Sequence, residues 1–298
     1  MAFSPTLARL QSVKAHLNHS IPTISFIGGG NMAESILAGL SAKGHPGKQL
    51  RYIEPFDERR QYMENKYPEW TSVKTNTEAA EGADVVVLAI KPQILRSVVT
   101  NSELQTALQK SSPLVVSIAG GIMTEDISRW LNYSHPSVVR CMPNTPALIG
   151  EGAVGLYANS NVNSEQKKTI EYMMNAIAKE IVWVDKEEKI DAITGVSGSG
   201  PAYYFLMMEA MQNAGIAAGL TAKDAKALTI QTCLGAARMA QESEDDLATL
   251  RKKVTSPKGT TEAALQVMES KNIRQIMKDT VFAAEKRAKE LAAILSKE

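Results

Sequence analysis

The chain has 298 residues, long enough for two domains and a sizeable core. Its 33 basic and 32 acidic side chains are interspersed and leave a formal net charge of +1, which argues against nucleic acid as a partner, since that calls for a basic face. Two distant cysteines, Cys141 and Cys233, read as small buried hydrophobes in a reducing, cytoplasmic setting rather than as a disulfide framework.

Residues 1–21 carry no acid and two bases, Arg9 and Lys14, which is faintly reminiscent of a transit peptide. With so few bases and no strong apolar face, they are expected to form a helical or frayed extension. A nucleotide-binding domain is expected over 22–184. It opens with the strand Ile24–Ile27, and a helix over 32–43 follows. Between them lies G-x-G-x-x-A: Gly28 for a tight turn, Gly30 for close approach of a pyrophosphate, Ala33 for close helix–strand packing. The free N–H groups of Asn31 and Met32, with the helix dipole, point at the phosphates.

A second strand over 50–54 ends at Glu54, where a carboxylate accepts hydrogen bonds from the adenosine ribose and repels a 2′-phosphate. That weights the cofactor toward NAD(H). Arg59 and Arg60, on a polar helix over about 57–67, are either a solvated face or a means of accommodating NADP(H), so both cofactors stay open. A weak strand over 72–75 leads to Asn76, placed for the adenosine side.

Residues 84–90 are apolar after Asp84, as befits a parallel strand buried on both faces. This longest apolar run is far too short to span a membrane. Ala89, Lys91 and Pro92 close that strand and are candidate cofactor contacts, as is Asn144 in RCMPNTP (140–146), near the expected nicotinamide. Strands over 114–118 and 137–140 complete an alternation that predicts right-handed βαβ units and a parallel sheet. Two more strands, from Gly152 and from Glu180, flank a helix over 165–178 and extend the sheet in an open direction.

After Val184 no strand is expected. Helices over 187–194, 201–218, 221–243, 245–252, 261–269 and 272–296 predict an all-helical second domain, 185–298. Met207, Met208, Met211 and Met239 read as core or subunit interface rather than a promiscuous groove. Helices this apolar in so small a domain are expected to bury against a second copy.

Two segments, VSGSGPAY (196–203) and VTSPKGTTEAAL (254–265), each break one helix and start another with Gly and Ser or Thr at its N-terminus. Such N-termini either are ordinary caps or bind a carboxylate. No histidine accompanies them and no metal-ligand spacing occurs, so chemistry with little proton transfer is expected. Hydride addition to C=N fits, because a protonated imine needs orientation more than a strong base.

The series FIGGGNMA, AIKPQ, RCMPNTPA, GVSGSGPAY and VTSPKGTTEAAL resembles that of the Δ1-pyrroline-5-carboxylate reductase family, in order from about Ile24 to Leu291. The resemblance implies a Rossmann-type α/β domain followed by a helical dimerisation domain. It implies reduction of pyrroline-5-carboxylate to L-proline by NADH or NADPH, in dimers that can build a decamer of five. It also implies that Thr261 contacts the ring nitrogen, that Gly259 and Thr260 hold the carboxylate, that Glu244 lies beside the substrate, and that Ser199 sits in the matching serine–glycine loop. Lys253 stands where some members carry Asn. The rivals are a 3-hydroxyacid dehydrogenase, whose catalytic lysine has no counterpart motif around Lys223 or Lys226, and a non-catalytic NAD(H) sensor.

Overall fold

A computed structural model describes residues 21–295. The extension expected over 1–21 lies, but for Ile21, outside the described residues. The first domain is an eight-stranded sheet in the order β3-β2-β1-β4-β5-β6-β7-β8. Strands β1 (Ile24–Ile27), β2 (Leu50–Ile53), β3 (Thr71–Ser72), β4 (Val85–Leu88), β5 (Leu114–Ser117) and β6 (Val138–Met142) are mutually parallel. The direction left open by the sequence is resolved at β7 (Gly152–Ala158), which runs antiparallel to β6, while β8 (Ala178–Trp183) is parallel to β7.

The central strands are buried along their whole length and are apolar but for Ser25 and Ser117, because both faces are covered. Alternate residues serve opposite cores: Phe26, Val87 and Val116 pack on one side of the sheet, Ile27, Val86 and Val115 on the other. Helices α1 (Asn31–Ala42) and α7 (Ser164–Met174) bury Ile36, Leu40, Ile170 and Met173 in the first core. Helices α4 (Pro92–Val99), α5 (Ser102–Ser111) and α6 (Thr124–Leu131) bury Leu95, Leu104 and Ile127 in the second. The crossovers α2 (Asp57–Lys66) and α3 (Asn76–Ala80) are more polar. His45, 3% exposed, ties the start of the sheet to α7: its Nδ1 meets the Tyr172 hydroxyl at 3.1 Å and its Nε2 the Pro22 carbonyl at 3.0 Å.

From α8 (Lys189–Ile193) onward every described element is helical: α9 (Gly200–Ala217), α10 (Ala222–Glu242), α11 (Leu247–Lys253), α12 (Thr260–Ser270) and α13 (Ile273–Leu295). A π turn, Thr194–Gly198, separates α8 from α9. The described residues form two compact units, 21–198 with 284–295, and 199–283. The first unit therefore runs past the boundary expected at 184/185, because residues 187–198 are pinned to β6 and β7 by the contacts described below. In the second unit only Gly200, Ala225 and Thr229 are buried, while Tyr204, Phe205, Leu206 and Leu228 are each more than half exposed. Such a unit has almost no core of its own. No described helix is long and apolar enough to cross a membrane.

Candidate active site

The strand order reverses between β1 and β4, so the loops after these strands frame a crevice at their C-terminal ends. Gly28 has φ +106°, and a Cβ there would stand 2.5 Å from the Ala89 carbonyl oxygen. The first glycine thus locks the β1 loop against the β4 loop. Gly30 is different: it is the N-cap of α1, its φ of −68° suits any residue, and nothing lies within 4 Å of its absent Cβ. The backbone is bare at this helix N-terminus. The N–H groups of Asn31 and Met32 head the helix and have no acceptor within it.

Glu54 follows β2 and is buried; its Oε2 accepts the Gly29 N–H (3.1 Å) and its Oε1 the Phe56 N–H (3.0 Å). The carboxylate is therefore held rigidly beside the glycine loop. Gly29, unremarked in the motif, matters here, since a Cβ on it would meet Glu54 Cβ at 2.9 Å. A pocket of 480 Å³ lies alongside, lined by Glu54, Arg60, Glu64, Ser72 and Lys74 among others. Asn76 begins α3 shortly beyond it.

Neither arginine is an unengaged cation. Arg59 donates to the Gly29 carbonyl (2.9 Å) and pairs with Glu34 (2.6 Å), while Arg60 donates to the Glu54 carbonyl (3.1 Å) and pairs with Asp57. Glu34, in the first turn of α1, also accepts from Lys66 (3.0 Å) and Tyr67 (2.9 Å). Partial burial opposes its charge, yet the hydrogen bonds from Lys66, Arg59 and Tyr67 outweigh it and hold the carboxyl at about 2. This cluster ties α2 to the glycine loop. A glutamate four residues after Gly30 and an arginine after the second strand are its only traces in sequence.

At the far wall, Lys91 is the N-cap of α4 and Pro92 its first residue, where the missing N–H costs nothing. Asn144 is buried, and its amide is already engaged: Oδ1 accepts the Ala153 N–H (3.0 Å) and Nδ2 donates to the Ser197 carbonyl (3.2 Å). The expected nicotinamide contact thus meets a side chain that joins two stretches of the first unit.

The second unit holds the other candidates. Ser199 is the N-cap of α9 but makes no side-chain cap bond. Residues 256–259 form a turn with Pro257 second and Lys258 third, closed by Gly259 N–H to the Ser256 carbonyl (3.0 Å). Lys258 takes φ +60°, a left-handed value usual for glycine, and its N–H donates to Glu262 Oε2 (2.7 Å). The turn delivers Gly259 as N-cap of α12, so Thr260 and Thr261 are its first two residues. Their N–H groups have no acceptor within the helix. The hydroxyls of Ser199, Thr260 and Thr261 hydrogen-bond no other described residue, and Thr261 is not the helix cap. Glu244 is exposed in the turn between α10 and α11. Nearby Lys253 pairs with Asp245, which accounts for its charge locally.

Residues 187–291 match the family model for pyrroline-5-carboxylate reductase dimerisation, and 23–121 match that of coenzyme F420-dependent NADP oxidoreductases. The chain is 46% identical to the pyrroline-5-carboxylate reductase of Pseudomonas aeruginosa over 273 residues, covering 92% of this chain and 98% of that one. A solved pyrroline-5-carboxylate reductase from Coxiella burnetii superposes with TM-score 0.86 at 43% identity, covering 92% and 99% of the two chains. The Plasmodium falciparum pyrroline carboxylate reductase with NADP bound gives 0.79 at 29% identity, covering 91% and 98%. With an α/β nucleotide crevice, a helical unit lacking its own core and relatives matched along almost their whole length, the chain belongs to the pyrroline-5-carboxylate reductase family.

Proposed function

We propose that this protein is an NAD(P)H-dependent oxidoreductase that reduces 1-pyrroline-5-carboxylate to L-proline, the closing step of proline biosynthesis. The observation that carries the reading locally is the start of α12. There a glycine N-cap, free N–H groups and a Thr261 hydroxyl with no partner among the described residues occur together. A substrate with one carboxylate beside one imine nitrogen has the matching groups.

On the first unit, Gly28 shapes the loop, and Gly30, Asn31 and Met32 would hold the pyrophosphate. Glu54 would accept from the ribose, with Asn76 on the adenosine side and Ala89, Lys91 and Pro92 forming the opposite wall. When bound, the dihydronicotinamide supplies the hydride taken up by the ring carbon. On the second unit, the free N–H of Thr260 holds the substrate carboxylate, with Gly259, whose own N–H closes the turn, capping the helix beside it. Thr261 orients the ring by a hydrogen bond to its nitrogen, with Ser199 and Glu244 beside it. None of this requires a strong base, and all four histidines precede residue 136.

The exposed apolar faces of α9 and α10 would be covered by a second copy, giving a homodimer, with a decamer of five dimers as the larger assembly. Two free cysteines support a cytoplasmic setting. The test is oxidation of NADH and of NADPH with pyrroline-5-carboxylate, with a 3-hydroxyacid and without substrate. Turnover with the pyrroline alone is expected. Turnover with the hydroxyacid would favour the dehydrogenase rival, and cofactor binding without turnover a sensor.

A further inference from the structure

Residues 140, 142 and 144 occupy alternate positions along and just beyond β6, and so face the same side. All three meet one stretch, 187–198. Arg140, 2% exposed, pairs with Asp191 at 2.9 Å and approaches Glu187 at 3.6 Å. Glu187 is held from behind by the N–H and the hydroxyl of Thr124, at 2.8 and 2.7 Å. The flexible tip of Met142 lies 2.7 Å from where a Cβ on Gly198 would stand, so it rests directly on the turn. Asn144 grips the Ser197 carbonyl. From the neighbouring strand, Gly155 leaves room for Ile193, whose Cδ1 would sit 2.6 Å from an added Cβ.

The stretch held this way contains the π turn Thr194–Gly198. π turns inside helices are rare and gather at functional sites. This one ends one residue before Ser199. A buried arginine between two buried carboxylates is weak evidence for stability, since apolar packing often supplies as much. It does specify one geometry, and here the geometry it specifies is that of the turn.

We propose that Arg140 and Asn144 are positioning residues for the reaction: they hold on β6 the π turn whose last residue immediately precedes Ser199 in the chain. Asn144 acts through the Ser197 carbonyl, not on the nicotinamide. The proposal rests on the reading of Ser199 as part of the substrate site.

The test uses the full-length protein and the variants Asn144→Ala, Asn144→Asp and Arg140→Lys. Amide hydrogen exchange at 194–198 is measured without ligands. NADH affinity is measured by fluorescence titration without substrate, and steady-state kinetics with pyrroline-5-carboxylate follow. Loss of the Ser197 contact is expected to speed exchange at 194–198 about tenfold, the scale of one net hydrogen bond. It should lower kcat/KM for the pyrroline by a similar factor, while the NADH dissociation constant stays within about twofold. Asn144→Asp keeps the acceptor for Ala153 and loses the donor, so it decides the matter should the alanine variant not fold. Unchanged exchange with weakened NADH binding would make Asn144 a cofactor contact and overturn the proposal. So would faster exchange with wild-type kinetics, which would leave the clamp purely structural. Exchange needs no substrate, and a wild-type protein inert toward pyrroline-5-carboxylate would instead refute the functional reading itself.

Discussion

The two motif glycines, alike in sequence, are expected to fail in opposite ways when each becomes alanine. At Gly28 the backbone has φ +106°, and the new Cβ would stand 2.5 Å from the Ala89 oxygen and 2.9 Å from Ile90 Cγ2. A left-handed alanine costs about 1–2 kcal/mol and the overlap about 1–3 more, so Gly28→Ala should lose about 2–5 kcal/mol of stability. At Gly30 φ is −68° and the Cβ enters open space. Reduced freedom of the unfolded chain favours alanine by about 0.4–1 kcal/mol, and a poorer N-cap disfavours it by a similar amount, so the net is about zero. The methyl group, however, stands where the pyrophosphate approaches the helix N-terminus. Losing one charge-assisted hydrogen bond, about 1.5–3 kcal/mol, raises the NADH dissociation constant roughly 10- to 100-fold. Thermal unfolding and NADH fluorescence titration of both variants read the two effects separately. A Gly30→Ala protein that binds NADH as wild type does would refute the placement of the pyrophosphate over Gly30.

Glu54→Gln keeps one acceptor for the Gly29 or Phe56 N–H but removes the charge, and should shift relative kcat/KM from NADH toward NADPH by about tenfold; an unchanged ratio removes Glu54 from the ribose site. His45 is pushed down to about 4 by burial, partly offset by its bond to the Pro22 carbonyl, so the folded state binds fewer protons than the unfolded chain between about pH 4 and 6.5. Its contribution, about 3 kcal/mol, is therefore complete above pH 6.5 and lost as pH falls toward 4; the wild-type minus His45→Gln difference in denaturant stability should shrink across that window, and a flat difference would contradict the assignment. Phe205 and Leu206 are 63% and 66% exposed, so replacing both by glutamate should weaken self-association by at least about a hundredfold in sedimentation, from about 1.5–3 kcal/mol per buried side chain. A wild-type monomer at micromolar concentration would contradict that.

Strands buried on both faces announce themselves, and β1 and β5 were legible in sequence to within a residue because nothing charged and no polar residue larger than serine interrupts them. The directions of β7 and β8 were not, since alternation is blind to which way a strand runs. The glycine loop was legible as a motif, but the grip of Glu54 on Gly29 and of Arg59 on the loop depends on residues about 25 to 30 apart meeting in space. RCMPNTP read as a strand end with polar groups to spare. Its arginine is buried and its asparagine engaged, because their partners lie about fifty residues on. The same contacts move the unit boundary beyond Val184. The start of α12 was legible as a helix N-terminus, and the structure adds that Gly259 caps it and that the Thr261 hydroxyl has no hydrogen-bond partner among the described residues.

Steady-state kinetics of Thr261→Ala and Thr261→Ser with pyrroline-5-carboxylate, with melting temperatures alongside, test the central claim most directly. Since Thr261 is not the cap, the alanine variant should melt close to wild type. Its kcat/KM should fall by roughly one to two orders of magnitude, the equivalent of about 1–3 kcal/mol at the ring nitrogen, while NADH affinity holds. The serine variant should recover much of the loss. Wild-type kcat/KM in Thr261→Ala would contradict the account and place the substrate site elsewhere.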